Sequence, residues 1–233
     1  MFDENYLLAE PMLKNICNSR LRAGILFSLD EPMALCDLRR ALGTNAPNTS
    51  AKAKDLEKMG LVERDNGDYR LTKQGMMVKM KFKEFSDTLA MLDKFDGVWS
   101  RIMDGIPVEL LDGIDCLLDS RAVENSSSDL DRVKKEILKL FKEGDLRKVL
   151  LPAYSKEIVD AIRGMERVEI IADEGIVGPD EIGAKPTKSL NVGLFVGDSY
   201  IALTSRLMDC ALVSKTKRGV EWGSLIFGFY KSA

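Results

Sequence analysis

Histidine is absent from the 233 residues, and that absence alone closes several functions. Ser-His and Cys-His nucleophile pairs, histidine acid–base chemistry and every His-containing metal site are excluded. Cysteine is scarce. Cys17, Cys36, Cys116 and Cys210 are far apart with no C-x-x-C pair, and are expected to be small buried hydrophobes in a reducing compartment. No run of about 18 apolar residues occurs, so no membrane-spanning helix is expected. The first residues, MFDENYLLAE, are acidic, unlike the basic-then-apolar pattern of a secretory signal, and a cytoplasmic location is expected. No Walker or dinucleotide phosphate loop is present; Gly43, Gly60, Gly144 and Gly164 are spaced as helix stops. An enzyme without histidine would need a Lys, Asp/Glu or Cys mechanism, and no spacing supports one. The chain is read as a non-enzyme, with no cofactor and no metal.

What is present is best organised around residues 47–73, PNTSAKAKDLEKMGLVERDNGDYRLTK. Thr49, Ala53 and Leu56 are four and three residues apart, so one helix face docks on a core. The opposite side carries Pro47, Ser50, Ala51, Lys54 and Lys58, short or cationic side chains suited to a groove and to phosphates. Gly60 ends the helix, Leu61-Val62 starts a strand, and Asn66-Gly67 is a strong tight-hairpin signal. Upstream, the spacing predicts one helix over residues 13–30 and a second over 33–42. Three helices and a two-stranded wing over 13–72 make a winged helix-turn-helix.

The net charge of −3 argues against indiscriminate polyanion binding. Yet residues 48–83 hold nine cations against five anions. Asn48, Ser50, Ala51 and Lys54 are therefore expected to enter a major groove. Lys52, Arg64, Asn66, Tyr69, Arg70 and Lys73 are expected to supply backbone or wing contacts. Next, Val78, Phe82, Phe85, Leu89 and Leu92 fall on a short heptad seam. It packs on its own domain, or makes a homodimer, or does both.

From Asp96 the texture changes. Two short helices, a strand, an amphipathic helix with Leu130, Val133, Ile137, Leu140 and Phe141 on one side, and the strand RKVLLPA follow. Then come helix SKEIVDAIRG, strand VEIIA, a hairpin NVGLFVG–SYIALTS, and a closing helix with Val220, Leu225, Ile226 and Phe229 expected inward. The fold class is α+β to α/β: a winged helix over 1–75, a linker or dimerisation helix over 76–96, and an α/β sensor domain over 97–233. Tyr154, beyond a strand's carboxyl end, is an effector-contact candidate. Trp99 and Trp222 read as core or interface aromatics, with ligand stacking as the alternative. Asp173-Glu174 and Asp180-Glu181, acidic pairs near strand ends, read as surface loop acids, with a cation or polar-ligand site as the alternative.

The block TSAKAKDLEKMGLVERDNGDYRLTKQG resembles the helix and wing of ArsR-like archaeal regulators, with Ser50 on their frequent DNA-contacting serine. Residues from Trp99-x-x-Ile102 through Ile106-Pro107 to Glu221-Trp222-Gly223-Ser224-Leu225-Ile226-Phe227 are similar to the Fil-type middle domain of methanogen and halophile regulators. The strand-helix-strand-hairpin pattern also looks like the phospholipase-D-like sensor domain of TrmB-type regulators. These resemblances imply a dimeric transcription regulator on double-stranded DNA, answering to a small-molecule or protein effector. Cys17 and Cys36 form no cluster of the kind ArsR-type metal sensors use. The competing expectation is a winged-helix interaction scaffold that does not touch DNA.

Overall fold

The computed structural model describes residues 3–163, 165, 167–176 and 182–232. The chain forms two compact units, Met1–Phe85 and Ser86–Ala233. Gly164 and the Asp180-Glu181 pair lie outside the described residues.

The first unit begins with helices α1 (Glu4–Cys17) and α2 (Arg20–Ser28). The apolar spacing predicts one helix over 13–30, but the structure breaks it at Asn18-Ser19. The cause is local: the Ser19 hydroxyl accepts from the Arg22 backbone N–H and caps a new helix. Strand β1 (Met33–Ala34) and helix α3 (Leu35–Leu42) follow, so the predicted 33–42 helix gives up its first two residues to a strand. Gly43 closes α3 in the left-handed region at φ 59°, where a side chain would be strained.

Helix α4 (Ala46–Lys58) is capped by the Asn45 side chain, which accepts from the Asn48 N–H at 3.0 Å. Strands β2 (Val62–Asp65) and β3 (Asp68–Leu71) pair across Asn66-Gly67, both with positive φ. Strand β1 pairs with β3, giving a three-stranded sheet in the order β1-β3-β2 rather than a bare hairpin. One core holds Ile25, Leu26, Leu38, Ala53, Leu56, Leu61 and Tyr69 together.

Helix α5 (Lys73–Lys94) starts on this unit. Val78 and Phe82 pack against its core, and the Phe82 ring stacks on Phe27 at 5.5 Å. Lys79 Nζ donates to the Phe27 carbonyl and to Asp30, at 3.1 and 2.7 Å. The domestic half of the heptad expectation therefore holds for Val78 and Phe82. Phe85, Leu89 and Leu92 remain exposed.

The second unit is a seven-stranded mixed sheet with helices on both faces. Its strands are β4 (Arg121–Glu124), β5 (Leu146–Leu151), β6 (Glu169–Asp173), β7 (Lys185–Thr187), β8 (Val192–Gly197), β9 (Ile201–Ser205) and β10 (Cys210–Ser214), in the order β4-β10-β9-β8-β5-β6-β7. β5, β6 and β7 run parallel; the other neighbours are antiparallel. One face is covered by the end of α5, by α6 (Asp96–Ile102), by two 3₁₀ segments (Met103–Gly105 and Val108–Leu117) and by α9 (Lys217–Ser232). The other is covered by α7 (Arg132–Glu143) and α8 (Lys156–Ile162). Central strands are buried on both sides, as two helical layers require.

Three expectations for the chain are corrected. Leu225 and Phe229 point outward on α9, while Gly219, Trp222, Gly223, Ile226 and Phe227 face the sheet. Leu130 is exposed, because α7 begins only at Arg132, where the Asn125 side-chain Oδ1 accepts from the Val133 N–H. Cys17 and Cys36 are exposed and only Cys116 and Cys210 are buried. Among the described residues, no helix is long and apolar enough to cross a membrane.

Candidate nucleic-acid interface

Helix α4 presents two chemically opposite sides. Thr49, Ala53 and Leu56 are fully buried, and the Thr49 hydroxyl donates to the Asn45 carbonyl at 2.9 Å. Asn48, Ala51, Lys54 and Lys58 are exposed on the other side, with Ser50 half-buried. Among the described residues, Lys54, Lys58 and Lys73 make no ion pair. Their ammonium groups are available to an anion.

Lys52 is different. Its ammonium lies 3.5 Å from Asp55, which also receives Arg22 at 2.7 Å. The Arg22 hydrogen bond, the largest influence, holds the Asp55 carboxyl below the usual carboxylate range, and Lys52 adds to it. The Arg22–Asp55 pair ties α4 to α2, and Lys52 shares its carboxylate from within α4, so its charge is partly neutralised.

The wing departs further from expectation. β3 alternates, so Tyr69 turns inward at 2% exposure and Arg70 outward. Tyr69 is a core residue, not a backbone contact; the Arg64 guanidinium lies 5.6 Å from its ring centroid and donates to the Gly67 carbonyl. Arg70 is held by Glu63 at 2.8 Å and Asp65 at 3.2 Å. From Val62 to Leu71 the hairpin carries Glu63, Asp65 and Asp68 against Arg64 and Arg70, a slight acidic excess. Acidic side chains thus cover one of the two arginines assigned to the tip. Asn66 stands exposed at the turn itself.

In the second unit, Trp99 and Trp222 are buried in the core, and Trp222 Nε1 donates to the Leu110 carbonyl at 2.7 Å. Tyr154 is exposed and lines an open cleft of about 310 Å³. Asp173 is a structural latch: its carboxylate accepts from the backbone N–H groups of Gly175 and Leu190 at 3.0 and 2.9 Å. Among the described residues, no group of three metal-ligating side chains converges.

The topology of the first unit is that of a winged helix-turn-helix, helices α3 and α4 joined by a tight turn and followed by a sheet. Residues 10–91 match the family model described as the N-terminal domain of the methanogenesis regulatory protein FilR1. No curated protein matches the chain. Among solved structures, it is similar to TrmBL2, an archaeal chromatin protein, at 13% identity over 95% of this chain and 96% of that one, with a TM-score of 0.35. It is also similar to IdeR of T. acidophilum, at 14% identity over 85% and 98%, with a TM-score of 0.28. The methyltransferase CalO1 of calicheamicin biosynthesis follows, at 17% identity over 81% and 67%, with a TM-score of 0.25. At such TM-scores none of these likenesses bears on function.

Proposed function

We propose that the protein is a homodimeric, sequence-specific transcription regulator that reads double-stranded DNA with helix α4. The observation carrying this reading is the exposed face of Asn48, Ala51, Lys54 and Lys58 on a helix whose other face is locked in the core. Exposed short side chains permit close groove approach, and unpaired lysines meet phosphates. The match of residues 10–91 to the N-terminal domain of a regulatory protein supports it. Ser50, Arg64, Asn66 and Lys73 complete the proposed contact set; the ArsR-like character of the domain belongs to the same proposal.

Dimerisation is supported by exposed apolar side chains on two helices: Leu7 and Leu8 on α1, and Met77, Met80, Phe85 and Leu89 on α5. A second copy is the proposed cover, which would fix the spacing of two reading helices. The second unit is proposed as the signal receiver. Its mixed sheet with a β5-α8-β6 crossover, on a chain without histidine, is the basis for likening it to phospholipase-D-like and Fil-type sensor domains.

The acid-paired wing favours the other reading, an interaction scaffold that binds no DNA. One titration decides between them: fluorescence anisotropy of the full-length protein on fragments of its own promoter, at several salt concentrations. Submicromolar binding that Lys54→Ala redirects to other sequences supports the regulator. Binding no tighter than to random DNA, and unchanged in the variant, leaves the scaffold.

A further inference from the structure

Single exposed leucines are ordinary on protein surfaces. Leu130 (73% exposed), Tyr154 (58%) and Leu207 (80%) are not single, because all three border the same cleft. They come from three separate places: the loop before α7, the loop after β5 and the β9–β10 turn. The cleft lies beyond the carboxyl end of β5, which pairs in parallel with β6, the end of a parallel strand pair where α/β sheets present ligands.

Its polar lining is equally ordered. Lys134 Nζ is held between Asp131 at 3.0 Å and Glu157 at 3.3 Å, and Lys156 lines the cleft beside them. The Asp131 hydrogen bond raises the Lys134 pKa, with Glu157 helping, so the ammonium stays charged. Two cations and two anions thus share one wall. A ligand of net negative charge meets Asp131 and Glu157 as repulsion; a net cation meets the two lysines. A zwitterion satisfies both signs.

We propose that this cleft binds a free amino acid with an apolar side chain. Its carboxylate meets Lys156, which makes no ion pair among the described residues, its ammonium meets the remaining lone pairs of Asp131 and Glu157 beside Lys134, and its side chain lies on Tyr154 between Leu130 and Leu207. The volume, about 310 Å³, is at the small end of ligand clefts, roughly 300–1,000 Å³, and suits a single amino acid rather than a peptide. The proposal rests on the reading that the second unit receives a signal.

Calorimetry on the full-length protein tests it, with L-leucine and L-phenylalanine as probes. Controls are 4-methylpentanoate, which lacks the ammonium, leucinamide, which lacks the carboxylate, glycine, which lacks the apolar group, and inorganic phosphate. The expected result is binding of leucine or phenylalanine, weakened about tenfold or more in each control, a loss of one good polar or apolar contact. Lys156→Met and Leu207→Ser should each weaken it about tenfold, while circular dichroism confirms the unaltered fold of these surface variants. Absence of binding up to about 10 mM, equal binding of 4-methylpentanoate or phosphate, or variants that bind like the parent would overturn it. DNA affinity is measured separately. Leucine binding that leaves promoter affinity unmoved keeps the site and removes the sensor reading. Promoter binding with no amino-acid binding removes the site and leaves DNA reading intact.

Discussion

Arg70 on β3 lies directly opposite Glu63 on β2, its Nε donating to Oε1 at 2.8 Å, with Asp65 reaching the same guanidinium from the diagonal position. Cross-strand pairs of opposite charge are a normal stabilising unit of a two-stranded ribbon. Here the pairing also withholds a cation from any phosphate. Arg70→Ala should therefore leave the salt dependence of DNA binding nearly unchanged. Glu63→Gln combined with Asp65→Asn should release Arg70 and steepen the plot of log affinity against log salt by about one phosphate contact. Anisotropy titrations across salt concentrations read both slopes. A full unit lost in Arg70→Ala would show that DNA pulls the arginine away from its acids.

Phe85 and Leu89 stand one helical turn apart on α5, each more than half exposed. Nothing in a monomer explains two neighbouring large apolar side chains in water, beyond the ordinary scatter of surface hydrophobes. Phe85→Glu with Leu89→Glu should leave the melting temperature of the folded chain nearly unchanged and convert a dimer to a monomer in sedimentation equilibrium. A parent protein that already sediments as a monomer at micromolar concentration would remove the two-copy reading.

Helix α4 and its hairpin were legible because two local signals coincide there. Thr49, Ala53 and Leu56 recur at helical spacing, and Asn66-Gly67 tolerates the positive φ that the turn needs. The burial of Tyr69 was legible too, from strand parity beside Leu71, but an aromatic next to two arginines draws the eye toward a ligand. The break at Ser19 was hidden because apolar residues continue through it at helical spacing. β10 was missed because all five of its residues are buried, which leaves no alternation to detect. On α9 apolar residues lie on both sides, so hydrophobicity alone placed Val220 and Ile226 inward correctly but sent Leu225 and Phe229 inward as well. The better signal was glycine. A Cβ at Gly223 would come within 2.4 Å of Ile201, so the glycines mark the face that approaches the sheet closely. The cleft around Tyr154 gathers loops from distant parts of the chain, and no spacing in the sequence brings Leu130 and Leu207 together.

The four cysteines divide into two pairs with different chemistry. Cys116 and Cys210 are buried, and burial pushes the Cys116 thiol up to about 12 and raises Cys210 as well. Thiolates are the reactive form, so both should be inert in the native state. Cys17 and Cys36 are exposed. A native titration with a chromogenic disulfide reagent should count two thiols promptly, rising to four in guanidinium. Mass spectrometry should place the first two labels on Cys17 and Cys36. Prompt labelling of Cys116 or Cys210 would show that the second unit opens readily.

The Arg22–Asp55 pair joins α2 to the reading helix, with Nη2 to Oδ2 at 2.7 Å and Nε to the same oxygen at 3.3 Å. Because the Arg22 hydrogen bond lowers the Asp55 pKa in the folded chain below its ordinary 3.8, the unfolded chain takes up the proton first as pH falls. The pair's contribution is therefore complete above that value and is lost as pH drops through the lowered folded value. Asp55→Asn should melt below the parent at neutral pH, and the gap should narrow as pH falls through the lowered folded value of the parent carboxyl. Lys52, freed of its acid in the variant, should at the same time add to DNA affinity at low salt if α4 keeps its place, or lose affinity if the helix shifts. Melting curves at several pH values decide the first point. A gap that stays constant through the acid range would assign Asp55 a purely packing role, with its charge contributing nothing.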